Sequence, residues 1–285
     1  MPFTLSHAAA VLPAVRSDGS GRGRLIPAVL VAGSFAPDMT YYAASAVPGA
    51  MEFGEVTHSF FGVFTVDVLV AWALVGLWLL VREPLVALLP RPWQPRPAVL
   101  LRCGSPRARL RPSLAGWWYA SAALGALTHV VWDAFTHHDR WGVRLFPVLG
   151  RVLWGSPLYS DLQYGSSVVG AVVIGAWVTR ALRRAPAHPV PRAVPVLSVR
   201  DRWWACVVLC GCAGAWAVER AVRWWAYWGA VAGPWELIPA VCFGAGAGLL
   251  LGLLLYVAGV RVWRPVPSAG EPERVSAEQG RPAGR

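Results

Sequence analysis

Lysine is absent from this 285-residue chain: all 26 basic residues are arginine, against 15 acidic ones, for a net charge of +11. Together with the abundance of Ala, Gly and Trp, the missing lysine reads as codon bias from a GC-rich genome and carries little functional weight. Charge of either sign is scarce. Only 14% of residues are charged and 56% are apolar, with a mean hydropathy of +0.46, which argues against an ordinary soluble domain and for a polytopic membrane protein. Cysteine is scarce too. Cys103, Cys206, Cys210, Cys212 and Cys242 contain no CxxC spacing, so no disulfide framework follows. Cys206 and Cys210 share a helix face and are expected to be small buried packing groups. The positive balance does not indicate nucleic acid, because the arginines lie in loops and tail between apolar runs, where anionic headgroups and topology account for them. The expected partner is the lipid bilayer, with no nucleic acid; protein partners are unspecified.

Five stretches are long and apolar enough to cross about 30 Å of hydrocarbon, for which roughly 20 residues suffice: residues 60–81, 117–138, 164–182, 203–228 and 236–260. The expected fold is therefore all-α, a helical membrane protein of about five spans with short N-terminal surface or re-entrant helices. Arginine sets its orientation. Residues 82–116 carry seven Arg against one Glu, residues 183–202 five against one Asp, and residues 261–285 five against three Glu; these segments are expected on the cytoplasmic side of a multi-pass cell-membrane protein. Residues 139–163 and 229–235 then face outward. Residues 1–182 read as one membrane domain, 183–202 as a cytoplasmic linker, 203–260 as two further spans and 261–285 as a disordered tail. The proline-rich stretches 90–97 and 186–195 are expected to be extended connectors without a packed core.

The first 59 residues admit three arrangements. Ser6 is placed to cap a short helix over residues 7–15, broken by the Gly-rich segment 17–23. Residues 25–36 are apolar but too short to span alone. Arg16, Arg22 and Arg24 ahead of an apolar run imitate a signal peptide, and a sixth span over 25–47 would place Asp38 in the bilayer. The preferred arrangement is a pair of short helices lying against the outer mouths of the spans.

The chemistry concentrates in Thr128–Asp139, THVVWDAFTHHD. Helical spacing puts His129 and Asp133 on one face, with His137 one step further along. An ionised Asp and imidazoles on an apolar helix are costly unless neutralised, and a bound cation would neutralise them. Zinc takes about four N, O or S ligands, with an open position at catalytic sites. The candidate metal ligands in chain order are His7, Asp38, His58, His129, Asp133 and His137. The competing reading is that His129 and Asp133 merely hydrogen-bond to knit helices. His138, Asp139 and His188 are expected to be solvated. Asp67 needs either a partner or a proton, and Glu219 is spaced to pair with Arg223 inside a span. The tryptophan pairs at 117–118, 203–204 and 224–225 mark span ends.

MPFTLSH at the start, GSFAPD at 33–38, THS at 57–59, LTHVVWD at 127–133 and LQYGSS at 162–167 together resemble the bacterial membrane family called domain of unknown function 4184, over residues 1 to about 182. That family is in turn similar to membrane-bound metal-dependent hydrolases and, in ligand order, to zinc-dependent phospholipase C and single-strand-specific zinc nucleases. The resemblance implies an ordered ligand set that His7, Asp38, His58, His129 with Asp133, and His137 match. The final HxxxE of that order is missing: Tyr164 and Val168 stand there. One or two ions, zinc or another divalent cation, are expected instead of three. The leading expectation is a metal-dependent hydrolase of phosphoester or lipid-like substrates, with Asp38 as catalytic base or bridging ligand and the site on the outer face. The alternative is a non-enzymatic membrane scaffold or transport accessory with structural His and Asp groups. A third reading, a haem protein, requires His58 and His129 opposed across the bundle.

Overall fold

The computed structural model describes residues 3–102, 112–153 and 155–264; Cys103 and the expected tail from residue 265 lie outside the described residues. Six helices of nine residues or more carry the fold: α1 (Pro27–Phe35), α2 (Val66–Leu88), α3 (Pro112–Ala134), α4 (Leu158–Arg184), α5 (Val199–Trp228) and α6 (Leu237–Trp263). Short helical turns join them, with one small antiparallel hairpin, β1 (Val152–Leu153) and β2 (Ser156–Pro157), ahead of α4. The all-helical expectation holds. Among the described residues four helices, α2, α4, α5 and α6, are long and apolar enough to cross a membrane, where about five spans were expected. The remaining long helix, α3, carries Ser, Tyr, His and Asp among its apolar residues.

Local chemistry sets several boundaries. A capping box starts α5: Asp201 N–H donates to Ser198 Oγ at 3.1 Å, and Ser198 N–H donates to the Asp201 carboxylate at 2.9 Å. The helix thus begins four residues before the expected edge. Thr65, with φ −128° and ψ −84°, separates the short helix Phe60–Phe64 from α2, so the expected span 60–81 is split at its start and runs on to Leu88. Pro84 inside α2 lacks an N–H, leaving the Leu80 carbonyl without its helical donor. Arg261 of α6 supplies one at 3.3 Å, and Tyr256 donates to the Pro84 carbonyl at 2.8 Å. α5 and α6 meet along Gly244, Gly248 and Gly252: a Cβ at Gly248 would lie 2.2 Å from the Cys212 carbonyl oxygen. Small residues on this face bring the two backbones together. Glu219 and Arg223 form their expected pair at 2.9 Å, while Arg220 and Arg223 reach Ser45 from the same helix.

Several expectations change. The prolines at 91–97 start a 3-10 turn, Arg91–Trp93, and a helix, Pro95–Leu100, instead of an extended connector, because proline at the first helical positions removes no needed donor. Val194 in the second proline-rich stretch, with Ala98 and Leu197 just beyond the ends of the two, is buried with Val81, Val86, Tyr256 and Val260, so a core does form there. Cys206 and Cys210 are exposed on α5 and are not buried packing groups. At the N-terminus Ser6 caps nothing; its hydroxyl donates to the Ser167 carbonyl at 2.9 Å, and Pro13 leaves the helix Ala8–Val11 a single turn before a 3-10 turn. α1 does not lie on a surface. Val29 and Leu30 are fully buried, packed with α2 and α3.

Candidate metal centre

α3 sets the register of the site. His129 and Asp133, four apart, rise on one face, and they are 0% and 3% exposed. α1 crosses that face at backbone contact: a Cβ on Gly125 would sit 2.2 Å from the Leu30 carbonyl oxygen, and one on Gly33 2.3 Å from that of Ala122. Glycine at both positions lets the helices touch. The approach delivers the Ser34 carbonyl to 2.7 Å from His129 Nδ1. A carbonyl can only accept, so Nδ1 carries the proton and Nε2 is left facing inward.

His58 is oriented the same way. It terminates the short helix Gly54–Thr57, and its Nδ1 lies 2.9 Å from the Gly54 carbonyl, which again assigns the proton to Nδ1 and turns Nε2 to the centre. Ser59 caps the next helix by accepting from Gly62 N–H. Asp38 ends the turn Ala36–Asp38 begun by Pro37. Thr4 Oγ1 donates to Asp38 Oδ2 at 2.5 Å, leaving Oδ1 toward the imidazoles.

The four donors converge. His129 Nε2 is 3.4 Å from both Asp38 Oδ1 and Asp133 Oδ2, and His58 Nε2 is 3.5 Å and 3.6 Å from the same two oxygens. One donor atom from each of Asp38, His58, His129 and Asp133 lies within 4.8 Å of the others, and this buried group could hold a metal ion. Two facts distinguish the arrangement from helix-knitting hydrogen bonds. Charge-assisted N–H···O bonds run about 2.7–2.9 Å, whereas donors about 2.1 Å from one tetrahedral ion stand about 3.4 Å apart. Moreover, His129 Nε2 and Asp38 Oδ1 are buried without a hydrogen-bond partner among the described residues. They point toward a shared space, not along an N–H···O line.

His7 and His137 flank this group through Asp133. His7 Nε2 is 3.3 Å from Asp133 Oδ1, and His137 Nδ1 is 3.6 Å from Asp133 Oδ2. The His7 ring stacks on that of His129, centroids 3.6 Å apart. Burial, reinforced by the neighbouring His129, pushes His7 down to about 4, so its imidazole is neutral at pH 7 and able to ligate. The His137 side chain, 27% exposed, marks the open side of the cluster.

Several residues of the site carried no legible role in the sequence. The LQYGSS segment of α4 supplies no ligand, and Val168, 61% exposed, faces away; yet Gln163 Nε2 is 3.1 Å from His137 Nε2. Ser166 receives the Trp132 indole N–H at 3.0 Å, and that indole packs edge-on against His7. The Ser34 and Gly54 carbonyls also went unread, although Gly33 before Ser34 and Gly125 one turn before His129 were signals of close approach. His58 and His129 are side by side, ring centroids 5.3 Å apart, which leaves no room for a haem between them. His138 and Asp139 are exposed, as expected, and pair with each other at 3.0 Å; His188 is exposed as well. Asp67 is fully buried, and neither of its carboxyl oxygens has a partner among the described residues.

No curated protein and no solved structure matches the chain. The sequence model of the family described as Domain of unknown function (DUF4184) matches residues 1–258, well past residue 182 and through most of α6, and the chain belongs to that family.

Proposed function

We propose that this chain is a membrane-embedded, metal-dependent hydrolase acting on a phosphoester of a lipid or envelope intermediate. The observation that carries the proposal is the inward-facing Nε2 pair of His58 and His129. Their Nδ1 protons are committed to backbone carbonyls, and the Nε2 atoms stand 3.4–3.6 Å from two carboxylates. Asp38, His58, His129 and Asp133 would hold the ion, with His7 and His137 as flanking ligands toward a second ion. A bound divalent cation lowers the pKa of a water and polarises a phosphoryl oxygen. Asp38, with one carboxyl oxygen fixed by Thr4 and the other facing the centre, would either bridge two ions through that inward oxygen or, where that oxygen is not bound to an ion, accept the water's proton with it. The arginine-rich loops at the opposite end support a site on the outer face.

Metal analysis of detergent-purified protein tests the reading first. One or two zinc or other divalent ions per chain are expected, and Asp133→Asn should lower zinc affinity by at least about tenfold. Hydrolysis of a chromogenic phosphodiester should follow metal occupancy and vanish in Asp38→Asn. Metal-free wild-type protein whose melting temperature does not respond to added zinc would leave the scaffold alternative standing and remove this one.

A further inference from the structure

At the end of the bundle opposite the metal centre, where α5 begins and α6 ends, the two helices part around a groove of about 720 Å³. That volume falls within the roughly 300–1,000 Å³ typical of small-molecule sites. The wall is apolar, with Ala205 and Val208 on α5 and Leu255, Gly259 and Val260 on α6, and the mouth carries Arg200, Asp201 and Arg264. Both helices are among the four able to cross a membrane, so the groove runs along hydrocarbon while its mouth lies at headgroup depth. The indoles there agree: Trp203, Trp204 and Trp263 are 69%, 59% and 79% exposed, as interfacial tryptophans are.

We infer that this groove binds one anionic phospholipid of the surrounding bilayer, an acyl chain against Val208 and Leu255 and the phosphate between Arg200 and Arg264. Charge complementarity selects this occupant. Among the described residues of these two helix ends, Arg200, Arg202, Arg261 and Arg264 stand against Asp201 as the one acid. Arg202 is turned to the Ala87 carbonyl and Arg261 to that of Leu80, whereas Arg200 and Arg264 line the mouth. Asp201 is itself engaged: it caps Ser198 and receives Arg264 at 3.0 Å, which holds that guanidinium at the rim. A guanidinium pair matches phosphate oxygens bidentately, and a zwitterionic headgroup would bring its ammonium against the same arginines.

Native mass spectrometry of the full chain, released from micelles doped with equal phosphatidylglycerol and phosphatidylcholine, tests this. One phosphatidylglycerol per chain should be retained in preference, and Arg200→Gln with Arg264→Gln should weaken its retention about thirtyfold with zinc content unchanged. Val208→Trp, at a partly buried position lining the groove, should reduce retention of both lipids by filling the acyl path. Equal retention of the two lipids, a double variant that keeps phosphatidylglycerol as wild type does, or displacement of the lipid by inorganic phosphate alone would each overturn the inference. None of these outcomes depends on the metal centre.

Discussion

Replacing Gly125 by alanine probes the contact on which the metal centre is built. The added Cβ would lie 2.2 Å from the Leu30 carbonyl oxygen, 2.8 Å from Ser34 N and 3.0 Å from Gly33 C. All three are backbone atoms, so no side chain can swing aside. Restoring an ordinary contact near 3.4 Å requires α1 to retreat by about 1.2 Å, the difference between the two distances. The Ser34 carbonyl moves with it, and its 2.7 Å bond to His129 Nδ1 stretches to about 3.9 Å, beyond hydrogen-bond reach. Overpacking costs about 1–3 kcal/mol, and the orphaned imidazole N–H a further 1–3 kcal/mol or so. Their sum, about 2–6 kcal/mol, is a large share of a typical folding free energy. The matched control is Gly116→Ala on the same helix, where a Cβ meets nothing within 4 Å and alanine should be neutral or stabilising by about 0.5–1 kcal/mol. Thermal unfolding in detergent, with zinc titrated into each variant, reads both effects. Expected are a lowered melting temperature and weakened zinc binding for Gly125→Ala alone. A variant that melts and binds zinc like the wild type would refute the claim that glycine contact positions His129.

Chelation of the purified protein should lower its melting temperature, because an ion at about a hundred times its dissociation constant stabilises by about 2.7 kcal/mol; calorimetry with and without chelator measures it. Asp67→Leu should raise the melting temperature, since an apolar group of similar shape replaces a buried carboxyl without a partner, a change of about 1–3 kcal/mol; a fall would reveal a partner for that carboxyl. Tyr256→Phe removes the donor to the Pro84 carbonyl and should cost about 1–2 kcal/mol in chemical unfolding, with zinc content unchanged. Ser166→Ala, which frees the Trp132 indole beside His7, should weaken zinc binding less than Asp133→Asn does in the same titration.

The helical elements were legible because their signals are local. Long apolar runs marked α2, α4, α5 and α6, and the i, i+4 spacing placed His129 with Asp133 and Glu219 with Arg223 before any tertiary contact was known. Helix α3 shows the limit. Its spacing shows His129 and Asp133 on one face, but nothing in the helix shows that α1 crosses that face at backbone contact. Cys206 and Cys210 were misjudged for a related reason: a shared face says nothing about what covers it.

What the sequence determined by itself is the helical class, the apolar helices and the stock of imidazoles and carboxylates, since periodicity and composition act over a few residues at a time. Which of them meet was decided by the tertiary structure. His7, Asp38 and His58 reach α3 across tens of residues of chain, and the ring tautomers depend on the Ser34 and Gly54 carbonyls, whose positions follow from backbone contact at Gly33 and Gly125 and from the turn at His58. Convergence of this kind is set by how close helices can pack, a property of pairs of surfaces that no single stretch of sequence displays.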